Sequence, residues 1–361
     1  ASTPAILQFI IAIMTPSEPT QPGDASIDAL CESLARRADE TARVGPWQSG
    51  CFRLLADAGV LAAFIPADCG GTAADERAVL PMLASIAERC LTTALALTQW
   101  ASAVRIIAGG PPQVRAARLP TLARGTALTT VGISHLSTSR RHLGTPALVA
   151  SPDGDGWRLN GVCPWVTGAD SSDTIVTGAQ LAAGEQVFFI VDTASPGLDI
   201  APPMQLLALS GSRTSRVAFR DVRPKEIIVP GAAGGVRTGG LSTTALALGS
   251  TNASLALLDR EAEARPALAP IAASLRAEAN EIAGRLQAAS AGAEPETRDR
   301  LRADSSGLVV RAAQAAVTAS KGAGFVVGHP AERLARESLF FLVWSCPQSV
   351  STAVMCELAG L

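Results

Sequence analysis

Hydrophobic spacing changes period twice along this chain of 361 residues, and that order limits the architectures open to it. From Ile27 to about Arg124 apolar side chains recur at helical spacing, as in Leu30, Leu34 and Ala38 and again in Leu80, Leu83, Ile86 and Ala87, cut by Gly and Pro. Between about Ala127 and Val229 short β-rich runs take over, including Thr174–Thr177, Val187–Val191 and Arg216–Phe219, divided by Gly, Pro, Asp and Ser. Helical spacing returns from about Gly240, in Leu241, Leu246, Leu248, Leu255 and Leu258 and then in Leu301, Leu308, Val309 and Ala312. The expectation is an α+β fold: a helical domain over 26–126, an antiparallel, barrel-like β domain over 127–232 and a four-helix bundle over 233–361. Gly156-Trp157-Arg158-Leu159-Asn160-Gly161 alternates and ends in a turn dipeptide, which predicts a hairpin turn there.

Bulk properties remove several classes of function. A formal net charge of -2, with both signs scattered, leaves no basic stripe for nucleic acid. Seven cysteines stand singly and the three histidines are scattered, which argues against a disulfide framework and against a metal site, and fits reduced thiols in a cytoplasm. The apolar leader Ala1–Ile13 lacks a basic start and is too short to span a bilayer, so residues 1–25 read as a disordered or added leader, with Met14 as the natural start.

Three stretches carry a family resemblance. Leu54-Leu55-Ala56-Asp57-Ala58-Gly59 leads to Pro66-Ala67-Asp68-Cys69-Gly70-Gly71; Gln113 leads to Leu119-Pro120 and Ala123-Arg124-Gly125; and Gly324-Phe325 is followed by Pro330-Ala331-Glu332-Arg333 and Arg336-Glu337. In this order they resemble the acyl-CoA dehydrogenases over about Ile27 to Leu361. The resemblance implies FAD, an acyl-CoA or acyl-carrier-protein thioester, and a homodimer or homotetramer with flavin sites between subunits. Members of that family place a Glu nine residues beyond the last Arg to remove the substrate's α-proton. That position here is Ser345, whose hydroxyl has no nearby His or Lys in sequence to make it basic. A related subgroup uses the first helix of the bundle, near Ser242, and there is no carboxylate there either.

The same resemblance names the remaining candidates. Val162-Cys163-Pro164-Trp165-Val166-Thr167-Gly168 is similar to the segment that stacks an aromatic ring on flavin and reaches its N5 with a Thr, with Cys163 in place of the usual Lys. Trp165, Val166 and Thr167 are therefore expected at the flavin, with Ile133 and Ser134 from the loop Val131–Arg141, where the family's Pro and Gly residues are missing. Both FAD clamps have lost residues. The first reads Arg260–Ala267 without Phe-Gly, and the second keeps Lys321 and Gly322, so FAD is expected to be held weakly or lost. Ser139, Arg140 and Trp344 are expected at the substrate. Cys346, next to Ser345, would serve as an acyl acceptor if its surroundings lower its pKa. Three readings follow: an acyl-thioester oxidoreductase of the α,β-dehydrogenating type, a flavin monooxygenase on the same fold, and a non-redox acyl-binding or acyl-transfer protein using Cys346.

Overall fold

The computed structural model describes residues 24–137, 147–181, 186–229, 240–292, 294–344 and 346–359. The leader, Ser139, Arg140 and Ser345 therefore lie outside the described residues. Six helices come first: α1 (Asp24–Val44), α2 (Cys51–Asp57), α3 (Val60–Ala63), α4 (Glu76–Arg89), α5 (Leu91–Ala108) and α6 (Pro112–Ala123). Asp75 caps α4 by accepting from the Ala78 amide at 2.9 Å. Most residues of α5 are buried, which explains its nearly continuous apolar sequence.

Eight strands and one short helix follow: β1 (Thr129–Gly132), α7 (Ser134–Ser137), β2 (Leu148–Asp153), β3 (Gly156–Val166), β4 (Thr174–Gln180), β5 (Gln186–Asp192), β6 (Leu198–Ile200), β7 (Ser215–Val222) and β8 (Glu226–Ile228). They form one sheet in the order β6-β7-β3-β2-β4-β5-β8, with β1 added in parallel along β4. Most pairings are antiparallel. The β2–β3 hairpin turns between Asp153 and Gly156, so Asn160-Gly161 is not the expected turn. Asn160 instead exchanges two hydrogen bonds of 2.9 Å with Asp221 across to β7. A side chain that satisfies the neighbouring strand removes the need to reverse the chain.

Strand β5 shows how the sheet is held. Its run Val187-Phe188-Phe189-Ile190-Val191 is buried throughout, yet alternate residues enter different cores. Phe188 and Ile190 join the large cluster shared with the helices, while Val187, Phe189 and Val191 join a separate cluster inside the sheet domain. Both faces of the sheet are thus covered, which explains an uninterrupted apolar run where period two alone predicts polar partners.

The chain closes with α8 (Leu241–Ala264), α9 (Ala269–Ala289), α10 (Pro295–Ser320), α11 (Pro330–Ser338) and α12 (Gln348–Ala359). Helix α8 crosses α4 closely at Gly249, where an added Cβ would lie 2.2 Å from the Ala84 carbonyl. Helices α5 and α8 are long and apolar enough to cross a membrane, but most of each is buried within the fold, as in a core helix.

Short α11 ties the parts together. His329 caps it, its Nδ1 accepting from the Ala331 amide at 3.1 Å. Arg333 pairs with Asp39 of α1 at 2.8 Å, and Arg336 donates to the Leu207 carbonyl of the β domain at 2.9 Å.

Candidate functional site

The first group of candidates is set by an irregularity in β3. Cys163 lies opposite Val217 and Val166 opposite Ser215, so three steps on β3 match two on β7. This bulge lets Cys163 and Val166 both enter the sheet core while Trp165 turns outward, 46% exposed. With its side chain in the core, Val166 has only backbone to offer a ligand. Burial also raises the Cys163 thiol to about 11, so at neutral pH it is a protonated apolar filler where the family's Lys would stand.

Thr167 follows the strand and is buried. Its Oγ1 lies 3.0 Å from Thr214 Oγ1, which in turn lies 2.8 Å from Ser212 Oγ. The Thr167 carbonyl accepts from Thr130 Oγ1 of β1 at 2.6 Å. The α7 loop closes from the other side: Ser134 Oγ donates to the Trp165 carbonyl at 3.4 Å, and the Ile133 carbonyl accepts from the Leu136 amide at 2.9 Å. Ile133, Ser134, Trp165, Val166 and Thr167, separated by about thirty positions in sequence, therefore stand together.

Sequence reasoning missed the groups behind Thr167. Gly168 has φ +64°, and a Cβ there would lie 2.2 Å from the Trp47 ring, so only glycine lets this aromatic of the helical part cover the end of β3. The Gly168 amide donates to the carbonyls of Ser212 and Arg213 at 3.0 and 3.2 Å, and Arg213 grips Asp170 through two nitrogens. Leu209 and Arg213 both hold left-handed φ values, 63° and 49°. Strain of this kind persists where surrounding contacts impose it. The Ser/Thr density of Ser210-Gly211-Ser212-Arg213-Thr214-Ser215 was the available signal.

His135, next to Ser134, is also buried. Its Nε2 lies 2.8 Å from the Gly178 carbonyl, which only accepts, so Nε2 carries the proton and Nδ1 is an acceptor. Among the described residues that Nδ1 has no partner. Burial lowers the pKa of the ring and favours its neutral form.

The second group lies on the C-terminal helices. Trp344 is half-buried and stacks on Phe340 with ring centroids 5.0 Å apart. Arg302 of α10 is 2% exposed and donates through Nη2 to the Trp344 carbonyl at 2.9 Å, with its guanidinium 6.0 Å from the indole centroid. Among the described residues its Nη1 has no partner, and burial lowers its pKa to about 10. Cys346 is half-buried. Desolvation pushes its thiol up, and the nearby Arg302 charge only partly opposes this. The lowered pKa that an acyl-accepting Cys346 requires is therefore not provided. Ser242 is half-buried on the first turn of α8.

The two stretches expected to hold FAD phosphates meet at the end of α10. Arg265 is bonded to Glu261 and to the Ala319 carbonyl, so its charge is already engaged. Lys321, with φ 52°, and Gly322 are exposed, and among the described residues, its chain neighbours aside, none comes within 4 Å of a Cβ built on Gly322. A half-exposed indole beside a hydroxyl chain fits the ring of a flavin, an aromatic plane with acceptor nitrogens. At the end of α10, Lys321 and exposed backbone are what could meet a phosphate.

A helical part, a doubly covered sheet and a helical bundle, with the half-exposed Trp165 indole near one end of β3, make a three-part scaffold. Residues 24–126 match the family model for the acyl-CoA dehydrogenase N-terminal domain. The probable acyl-CoA dehydrogenase YngJ of Bacillus subtilis is 26% identical over 206 residues, 54% of this chain and 53% of that protein. The match thus spans about half of that relative's length. The probable acyl-CoA dehydrogenase fadE25 of Mycobacterium bovis is 24% identical over 365 residues, 92% of each chain. The solved glutaryl-coenzyme A dehydrogenase in complex with glutaryl-CoA shares the fold, with TM-score 0.79 at 17% identity over 92% of this chain and 95% of that one. Residues 24–126 thus match the N-terminal domain of the acyl-CoA dehydrogenases, and over most of its length the chain is similar to proteins of that family.

Proposed function

We propose that the protein is a flavin-dependent oxidoreductase acting on an acyl thioester, either acyl-CoA or an acyl-carrier protein, with chemistry of the α,β-dehydrogenating type. The observation that carries this is the grouping of a half-exposed Trp165 with Thr167 and Ser134. Trp165 would stack on the flavin ring, Thr167 would offer its hydroxyl, and the Ile133–Ser134 backbone would border the ring's polar edge. Bound there, flavin would supply the electron-pair acceptor. Arg140 and Ser139 would meet the thioester's carrier arm, and Trp344 would line the acyl side. Ser345 would stand where relatives of this kind carry their base.

The exposed apolar turn Phe325-Val326-Val327, at 84, 61 and 87% exposure, supports a homo-oligomer, because such a patch is usually covered. Seven free cysteines support a reducing, cytoplasmic setting.

A monooxygenase on the same scaffold is the second reading, favoured by Ser in place of the carboxylate at position 345. The test is the visible spectrum of protein incubated with FAD, recorded anaerobically before and after a panel of acyl-CoA thioesters. Bleaching supports dehydrogenation. Flavin bound but unbleached moves the reading to oxygenation, and no flavin bound overturns both. Ser345→Glu adds a second arm, since a gain of dehydrogenase turnover would mean that only the base is missing.

A further inference from the structure

The three hydroxyls of Ser212, Thr214 and Thr167 form a chain with a countable number of protons. Two hydrogen bonds, at 2.8 and 3.0 Å, join them. Among the described residues none of the three hydroxyl oxygens has another partner. Each hydroxyl carries one proton, so three protons serve two internal bonds and one O–H is left over. On Ser212, or on Thr214 were it to accept from both neighbours, that proton would point into buried surroundings, where Ser212 is 0% and Thr214 6% exposed. Thr167 is the most exposed of the three, at 8%, and lies two residues from half-exposed Trp165, so its end of the chain is the one an acceptor from outside would reach. The low-energy order is therefore Ser212 to Thr214 to Thr167 to ligand, each oxygen accepting from the one behind it.

The frame around the chain keeps it in place. The Ser212 carbonyl is held by the Gly168 amide, Arg213 is anchored to Asp170, and a Cβ on Gly211 would lie 2.1 Å from the Thr41 carbonyl of α1. The loop cannot shift without disturbing both the helical part and the end of β3.

We infer that Thr214 and Ser212 are positioning residues that fix the Thr167 hydroxyl as an outward hydrogen-bond donor, matched to an acceptor nitrogen of the flavin ring. The inference rests on the flavin reading above. It assigns no contact with flavin to Thr214 or Ser212, both of which act through Thr167.

The experiment compares wild type with Thr214→Val, which keeps the shape and removes the hydroxyl, and Thr214→Ser, which keeps the hydroxyl. FMN and FAD are titrated into each protein, followed by visible absorption and flavin fluorescence. Thr214→Val is expected to bind about tenfold more weakly, equivalent to about 1.4 kcal/mol, with an altered visible band. Thr214→Ser should stay within about twofold of wild type, and Ser212→Ala should move in the direction of Thr214→Val. In a Thr167→Val background, Thr214→Val should have no further effect, because the group through which it acts is gone. Thermal unfolding of the flavin-free proteins separates loss of fold from loss of the donor. Wild-type affinity and spectrum in Thr214→Val, or an undiminished effect of that change in the Thr167→Val background, overturns the inference while leaving the flavin reading intact. Failure of wild type to bind either flavin overturns both.

Discussion

Glu337 is 7% exposed on α11, and burial raises its carboxyl to about 7. Arg333 and Arg336 work against that rise, while Glu332 and Asp39 add to it, and desolvation outweighs the two guanidinium groups. Cys90, at the start of α5, feels the same charge. A folded-state pKa above the ordinary carboxyl value of 4.5 means that the native protein holds this proton more tightly than the unfolded chain. The stabilisation is therefore complete below about pH 4.5 and is lost as pH rises to about 7. At about 1.4 kcal/mol per decade, the interval amounts to about 3 kcal/mol, of which about 2.5 falls between pH 5 and pH 8. Glu337→Gln imitates the protonated carboxyl at every pH, so its advantage over wild type should grow by that amount across the same range. With an unfolding entropy of about 2.1 cal/mol/K per residue over 361 residues, the gain corresponds to about 3 °C in Tm. Calorimetry of both proteins at pH 5, 6, 7 and 8 measures it. Parallel Tm curves, or a variant less stable than wild type at pH 8, would refute the reasoning and mean that the ionised carboxylate is well solvated or hydrogen-bonded.

Other substitutions probe separate links of the same account. Trp165→Ala removes a stacking surface of the kind worth about 1–3 kcal/mol, so FAD or FMN titration should show at least a fivefold loss of affinity. Gly249→Ala forces a Cβ to 2.2 Å from the Ala84 carbonyl between two core helices; a loss of more than about 2 kcal/mol in urea unfolding is expected. Arg302→Met deprives the Trp344 carbonyl of its donor. It should cost about 1–3 kcal/mol and change Trp344 fluorescence, whereas an unaltered emission spectrum would show that the guanidinium does not shape that segment.

The sequence made some of this legible because the relevant physics is local. Helical spacing around Leu80, Leu83 and Ile86 depends on near neighbours. The β3 bulge does not, because whether Val166 or Trp165 faces the core depends on register with Val217 and Ser215, about fifty residues away. Asn160-Gly161 was misread for the same reason: its side-chain partner, Asp221, comes from another strand. Thr214 and Ser212 passed unnoticed because they matter only through Thr167, and that contact exists only after β7 pairs with β3. Cys346 depended on dielectric surroundings, to which a linear sequence gives no access.

Helix α11 spans only nine residues, yet its two arginines reach α1 and the β domain, and Leu339–Trp344 continues directly from it. The bearings that orient this segment are therefore an ion pair from Arg333 and a carbonyl contact from Arg336, both upstream of the segment itself. A framework arranged this way behaves as a socket: side chains beyond Trp344 can be exchanged by mutation without touching the contacts that mount the segment.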